Sequence, residues 1–171
     1  MSESNNGAAS RLWFRMVRLQ TRMNGAVADR LKPLGLSIAQ CDVLTTLTER
    51  EGVSQQELAA RLYVTKGNIS GLIDRLAAAN LVERRSIESD RRSHAIFLSP
   101  TGRSLALRAI EAQRKFVEQT FGKLNAEKIA TFESLLIETR ELVRESAGGG
   151  RTANIKGRAK PSPRGHAIKA L

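Results

Sequence analysis

The sequence is poor in the residues that build disulfides and metal centres. Its 171 residues include one cysteine, Cys41, and two histidines, His94 and His166. A single cysteine cannot form an internal disulfide, and ligands this sparse predict neither a metal site nor a bound cofactor. The patterns of common active sites are also missing, namely a glycine-rich phosphate loop, a serine–histidine–aspartate set and partnered carboxylate pairs. The sequence therefore predicts a protein that is not an enzyme.

Long apolar runs are missing as well. No stretch approaches the ~20 apolar residues that a membrane-spanning helix needs. Residues 1–10 lack the basic and apolar segments of a secretory signal. We therefore expect a cytoplasmic protein.

Acidic residues are outnumbered, since 17 acids face 28 lysines and arginines and the net charge is +11. Residues 148–171 carry six of the basic residues and no acid, which leaves 11 − 6 = +5 for the rest of the chain. Such a charge can serve solubility alone. A basic body with a basic tail more simply indicates a polyanionic partner, nucleic acid above all.

Two helices in close succession are predicted between residues 54 and 80. Ser54 and Glu57 have the spacing of a capping box, and Thr65 is a second N-cap candidate. Apolar residues recur at helical spacing behind each of them, at Leu58, Ala59 and Leu62 and then at Ile69, Leu72, Ile73 and Leu76. The opposite face of the second helix begins with Thr65, Lys66, Asn68 and Ser70. Such a polar helix N-terminus is where a helix-turn-helix recognition helix meets bases and phosphates.

A two-stranded ribbon is predicted next. Residues 81–86 and 93–98 have strand character, and the polar tip at 87–92 includes Asp90, Arg91 and Arg92. An arginine-rich tip of this kind is suited to a narrow minor groove. The fold class is therefore mainly α with a small β-wing, a winged helix-turn-helix over residues 37–98.

Further helices flank this unit on both sides. We expect residues 1–10 to be disordered, a helix over 11–32 that stops at Pro33 and Gly35, and a helix opened by the Ser37–Gln40 capping box. Val53 is a candidate for a short third strand. Ser99 and Pro100 begin the helical segment 100–147, with an internal N-cap candidate at Asn125. Residues 148–171 are expected to be a flexible basic tail, which either adds a DNA contact or is merely solvated.

The terminal helices carry more apolar surface than one small domain can cover. The stripe on the first helix consists of Leu12, Met16, Leu19, Met23, Val27 and Leu31. Helical segments 11–32 and 100–147 are therefore predicted to form a homodimer interface.

Two motifs resemble a known family. The run DRRSHAIFLSPTG at residues 90–102 is similar to the wing signature of the MarR family of bacterial transcriptional regulators, and LYVTKGNISGLIDRL at residues 62–76 is similar to its recognition helix. The resemblance covers residues 12–145. It implies a dimer with interlocked terminal helices and a small-molecule pocket between these helices and the winged domain, which in many members takes aromatic acids or other amphipathic anions.

The predicted DNA contacts follow from the motifs and the resemblance together. Double-stranded DNA with a near-palindromic operator is the expected partner. Asn68 is suited to adenine and Lys66 to phosphate, and the resemblance places Arg92 at the minor groove. Asp90 is expected to orient an arginine, such as Arg75 or one from the wing. Arg84 and Arg85 are expected near the DNA backbone.

The predicted effector pocket is less well defined. Its candidate wall residues are Trp13, Phe14, Met16, Met23 and Cys41, for each of which plain core packing is the simpler interpretation. The sequence thus favours a homodimeric repressor that a small ligand releases. Two alternatives stay open: an architectural protein that binds DNA without reading its sequence, and a regulator switched by oxidation of Cys41. The polar side chains of Thr65, Asn68 and Ser70 favour sequence reading over the architectural alternative.

Overall fold

A computed structural model describes residues 3–87 and 90–148, with side chains described for residues 6–86 and 94–146. The chain is mainly helical with one small antiparallel sheet, which confirms the predicted fold class. Its elements are α1 (Glu3–Leu31), α2 (Ile38–Glu49), β1 (Val53–Ser54), α3 (Gln55–Arg61), α4 (Lys66–Ala78), β2 (Val82–Ile87), β3 (Asp90–Leu98), α5 (Pro100–Gln119) and α6 (Ala126–Gly148). Short 3-10 turns lie at Lys32–Leu34 and Phe121–Lys123. None of the helices in this described part of the chain is long and apolar enough to cross a membrane.

The chain divides into two compact units, one that ends at Lys123 and one that begins at Leu124. The core of the first unit is built from apolar side chains of α2, α3, α4 and the sheet. Its fully buried members include Leu44, Leu47, Leu58, Ile69, Ile73, Leu76 and Ile96. In the second unit, α6 begins after Asn125, whose side chain accepts a hydrogen bond from the backbone N–H of Lys128 at 2.9 Å, as the sequence predicts.

The predicted helix caps are confirmed. In both capping boxes the serine hydroxyl accepts the N–H of the third helical residue, at 3.2 Å in the Ser37–Gln40 box and 3.1 Å in the Ser54–Glu57 box. The side chains of Gln40 and Glu57 accept the serine N–H groups in return, at 2.9 and 2.8 Å. At α4 and α5 the cap is a single hydrogen bond: the Thr65 hydroxyl accepts the N–H of Asn68, and the Ser99 hydroxyl accepts the N–H of Gly102. These local bonds fix where α2 to α5 begin, and hence where their side chains lie.

The sheet has the strand order β1-β3-β2, and both pairings are antiparallel. Val53 pairs with Ile96, so the predicted short third strand is present. The wing, residues 82–98, keeps a regular register from Val82–Leu98 to Ser86–His94 and then shifts between Ser86 and Ile87. The shift lets β3 begin at Asp90, so the strands extend into the segment 87–92 that the sequence predicts as a tip. Residues 88 and 89 lie outside the described part of the chain.

Two further boundaries differ from the prediction. Helix α1 begins at Glu3 rather than at residue 11, so it extends into the segment 1–10 that the sequence predicts as disordered. Two alanines favour the helix there, and the Ser10 hydroxyl donates to the carbonyl of Asn6 at 2.9 Å. Helix α5 ends at Gln119, and Thr120 after it has a non-helical backbone with φ of −118° and ψ of −87°.

The wing joins α5 through a tight backbone contact. Ser99, which is 2% exposed, donates its hydroxyl to the carbonyl of Asn80 at 2.6 Å and accepts the N–H of Gly102 at 2.9 Å. A Cβ at Gly102 would lie 1.8 Å from the carbonyl oxygen of Leu81. Only glycine allows this approach, which sets the base of the wing against the first turn of α5.

Candidate nucleic-acid interface

The first turn of α4 presents polar side chains to solvent. Lys66 and Asn68 are exposed, and the Thr65 hydroxyl accepts the N–H of Asn68 at 3.3 Å. The opposite face of α4 is anchored in the core through Ile69, Leu72, Ile73 and Leu76. A helix N-terminus carries partial positive charge, and its free N–H groups favour anions. This turn therefore combines a cation, an amide and a helix terminus on one accessible surface.

Ser70, which the sequence also places among the DNA contacts, forms a hydrogen bond within the fold. Its side chain is half-buried, and its hydroxyl donates to the side-chain oxygen of Gln55 at 2.8 Å. Gln55 is the first residue of α3. The serine thus links the two helices of the helix-turn-helix, a pairing across 15 residues that periodicity alone does not reveal.

The turn between α3 and α4 contains a residue that the sequence interpretation passes over. Tyr63 has a left-handed backbone with φ of 54°, and its side chain is 92% exposed. It lies two residues before the N-cap Thr65. The break in helical pattern at residues 63 and 64 marks the turn, but the pattern does not show that an aromatic ring projects from it.

The two ribbon arginines point to opposite faces of the sheet, because successive strand residues alternate. Arg84 forms an ion pair with Asp74 on the C-terminal half of α4. This contact ties the recognition helix to the wing. Arg75, the neighbour of Asp74, is exposed in the last turn of α4.

Arg85 belongs to a different surface. It pairs with Glu83 at 2.9 Å and lies over the ring of Phe97, with the guanidinium carbon 4.3 Å from the ring centre. Together with Glu51 and Arg103 these residues line an open groove beside the start of α5. Arg84 and Arg85, both expected near the DNA backbone, therefore lie on opposite faces of the ribbon.

The predicted tip residues Asp90, Arg91 and Arg92 begin β3, but their side chains lie outside the described part of the structure. His94 is exposed on β3 opposite Ser86, which confirms its place on a strand. Within residues 3–87 and 90–148, no group of three histidine, cysteine or carboxylate side chains is arranged to hold a metal ion.

The residues predicted to line an effector pocket differ in their burial. Trp13 and Phe14 are 55% and 61% exposed on α1, Met16 is 40% exposed and Met23 is half-buried. Cys41 is fully buried in the core. Burial, and secondarily the charge of Asp42, raises the pKa of the Cys41 thiol to about 12. A thiol of this kind is protonated at neutral pH and therefore a poor nucleophile.

A second groove lies between the end of α1 and α5. Its cationic lining residues are Arg30, Arg108 and Lys115, and Glu111 is the one acid among the residues that line it. Arg30 is held in place, because it donates to the side-chain oxygen of Gln119 at 2.8 Å and lies 5.1 Å from the ring centre of Phe116. The net positive lining suits an anion.

Comparisons with known proteins give consistent relatives. A sequence model described as the MarR family matches residues 34–93. An uncharacterised HTH-type transcriptional regulator of Bacillus cereus is 30% identical over 117 residues, which cover 68% of this chain and 78% of that protein.

Two solved structures resemble the fold of this chain. CouR from Rhodococcus jostii, bound to p-coumaroyl-CoA, is 29% identical with a TM-score of 0.66, and the match covers 73% of this chain and 88% of CouR. Reduced AbfR bound to DNA has a TM-score of 0.70 at 23% identity, with 84% of this chain and 99% of AbfR covered. The family and the fold of this chain are those of transcriptional regulators rather than of enzymes.

Proposed function

Because this chain belongs to the MarR family of winged helix-turn-helix transcriptional regulators, we propose that it is a homodimeric repressor that reads a near-palindromic operator and is released by a small ligand. The exposed polar first turn of α4 carries this proposal. Asn68 is free to pair with a base edge, and Lys66 beside it is suited to a phosphate. A surface that bound only phosphates would be expected to carry more cations at this turn.

The wing supplies the second contact in this proposal. Arg92 enters the minor groove next to the major groove that receives α4, with Asp90 orienting an arginine and Arg91 adding charge. The ion pair between Asp74 and Arg84 supports it, because this pair holds the ribbon beside the recognition helix. In a twofold dimer the two α4 helices would enter successive major grooves ~34 Å apart.

The homodimer is supported by apolar surface in both units. The stripe on α1 starts with exposed residues, Leu12 at 67% and Leu19 at 48%, and ends in the core at Leu31. In α6, Leu135, Leu142 and Val143 are each more than half exposed. Monomers rarely leave large apolar patches open, so we propose that a second copy covers these side chains. Light scattering of the purified protein is expected to give a mass twice that of the monomer. A monomer mass at micromolar concentration would contradict the homodimer.

The proposed effector is an amphipathic anion, in line with the binding of p-coumaroyl-CoA by CouR. The groove of Arg30, Arg108 and Lys115 supports this choice through its charge. Bound ligand would favour a spacing of the recognition helices that no longer fits the operator, which requires different affinities for the two conformations. Aromatic acids and acyl-CoA thioesters that raise the melting temperature and release DNA would support the proposal. Loss of both effects in Arg108→Ala, with folding retained, would place the site in this groove.

Access to chromosomal DNA implies a cytoplasmic location, which we include in the proposal. The main competing function is architectural DNA binding that does not depend on sequence, for which the overall charge of +11 is the supporting observation. The basic segment 149–171, which lies outside the described residues, would contribute in that case.

One titration separates the two functions. The full-length protein is titrated with the DNA upstream of its own gene and with a shuffled duplex of equal length, at two salt concentrations. Tight binding to the native fragment alone, retained at the higher salt, supports an operator-reading regulator. Equal binding to both duplexes that falls together as salt rises means that phosphate contacts dominate and favours the architectural function.

A further inference from the structure

The turn between α3 and α4 has an unfavourable backbone at a residue with a large side chain. Tyr63 has φ of 54°, the left-handed region that glycine adopts freely and that side chains with a Cβ avoid. The backbone on both sides is fixed, since the N–H of Leu62 donates to the carbonyl of Leu58 at 2.9 Å and that of Val64 to Ala59 at 3.0 Å. The turn therefore imposes this conformation on whichever residue occupies position 63, and glycine would fit it best.

Nothing in the packing of the fold compensates for the tyrosine. Its side chain is 92% exposed, the highest exposure among the large apolar and aromatic residues described as exposed. An aromatic ring usually contributes through burial of its large surface, and this ring buries almost none. Residues kept in sparsely populated backbone conformations concentrate at functional sites. The combination of strain and exposure thus points to a contact with a partner molecule rather than to a role in the packing of the fold.

The position of the turn identifies that role. Tyr63 precedes Thr65, the N-cap of α4, and so lies at the same end of the recognition helix as Lys66 and Asn68. When that end enters a major groove, the preceding turn lies over the sugar–phosphate backbone at the edge of the groove. The phenol of tyrosine is a hydrogen-bond donor and one of the side chains that contact phosphates in protein–DNA complexes.

We propose that the Tyr63 hydroxyl donates a hydrogen bond to a DNA phosphate at the edge of the groove that α4 enters. The left-handed backbone projects the ring outward from the turn and toward this phosphate. The contact positions the recognition helix and is independent of base sequence. The inference rests on the proposed DNA contact by the first turn of α4.

The test uses full-length protein with three substitutions. Tyr63→Phe removes only the hydroxyl, and Tyr63→Gly removes the ring and also relieves the backbone. Asn80→Gly is the matched control, because Asn80 is likewise exposed and left-handed, with φ of 54°, but follows the opposite end of α4. Binding is measured on the native upstream fragment and on the shuffled duplex, together with the melting temperature of each variant.

Tyr63→Phe and Tyr63→Gly are each expected to weaken binding about tenfold, by a similar factor on both duplexes, since one charge-assisted hydrogen bond is lost. Tyr63→Gly is expected to melt at or above the temperature of the unchanged protein, and Asn80→Gly to bind DNA normally. Unchanged affinity of Tyr63→Phe would overturn the phosphate contact. A loss of affinity confined to the native fragment would also overturn it, because it would indicate base reading. A lower melting temperature of Tyr63→Gly would overturn it as well, because the ring would then be a packing residue. The effect of the Tyr63 substitutions is also measured on the shuffled duplex. The inference can therefore hold even if the protein does not prefer the native fragment.

Discussion

The side chain of Glu51 accepts the backbone N–H of Leu98 at 2.8 Å and so extends the ladder between β1 and β3 by one bond. The preceding rung is the bond from the N–H of Gly52 to the carbonyl of Ile96 at 2.9 Å. The second carboxylate oxygen of Glu51 accepts from Arg103 on α5 at 2.6 Å. One carboxylate therefore joins the loop after α2 to the end of the wing and to the first turn of α5.

Glu51→Ala is expected to lower the free energy of unfolding by about 1–3 kcal/mol, because it leaves a partly buried N–H without its acceptor. Arg103→Ala is the matched control. It removes only the ion pair, whose arginine side chain is 49% exposed, and is expected to cost less than about 1 kcal/mol. Urea unfolding measures both values. Equal losses in the two variants would show that the ion pair, rather than the backbone bond, carries the effect.

Among the glycines of the described structure, Gly102 has the least room for an added methyl group. Gly102→Ala places its Cβ against the carbonyl of Leu81 and is expected to destabilise the protein by about 1–3 kcal/mol or more. Gly67→Ala in α4 meets no atom within 4 Å and is expected to stabilise the helix by about 0.5–1 kcal/mol. Thermal unfolding distinguishes the two. A neutral Gly102→Ala would mean that the wing can shift away from α5 without cost.

Local signals in the sequence account for most of the fold. The capping boxes at Ser37 and Ser54 and the N-cap at Thr65 depend on neighbours within a few residues, and the structure confirms each of them. The end of the first helix near Pro33 is confirmed for the same reason. Residue types and spacing are sufficient where an interaction is short-range.

Interactions between distant residues were not predictable in the same way. The Ser70–Gln55 bond and the Asp74–Arg84 pair each engage a side chain that the sequence places among the DNA contacts. Both depend on the distance between elements, which a single sequence does not specify. The exposure of Tyr63 also escaped prediction, because a break in periodicity shows that a turn exists but not its backbone angles.

Burial gives Asp42 a measurable pH signature. Its pKa is raised because the carboxylate is partly removed from water. The protonated side chain of Asp42 therefore contributes to the stability of the fold below the ordinary aspartate pKa of 3.8. This contribution is lost as pH rises through the higher pKa of the folded state. Asp42→Asn is thus expected to be more stable than the unchanged protein at neutral pH, with the difference disappearing under acid conditions. Urea unfolding across pH 3–7 tests this, and a difference that did not change with pH would contradict it.

The buried thiol of Cys41 should be unreactive in the folded protein. Because burial raises its pKa to about 12, very little of this thiol is ionised at pH 8. We expect a thiol-specific disulfide reagent to react much faster after addition of urea than before it. DNA binding is expected to survive peroxide treatment, in Cys41→Ala as in the unchanged protein. Rapid loss of binding on oxidation, reversed by a reductant, would instead support the redox switch.

The two exposed side chains of the first α4 turn should contribute differently to DNA binding. Lys66→Ala is expected to weaken binding to native and shuffled duplexes alike and to reduce the salt slope by about 1, because one phosphate contact is lost. Asn68→Ala is expected to cost about 1–3 kcal/mol on the native fragment and little on the shuffled one, because a base contact is lost.

Ser70→Ala is the control within the same helix. Its hydroxyl is bonded to Gln55, so it should cost about 0.5–1.5 kcal/mol of stability and leave the salt slope unchanged. If Asn68→Ala weakened both duplexes equally, α4 would contact phosphates without reading sequence, and the architectural function would then be the better account of this protein.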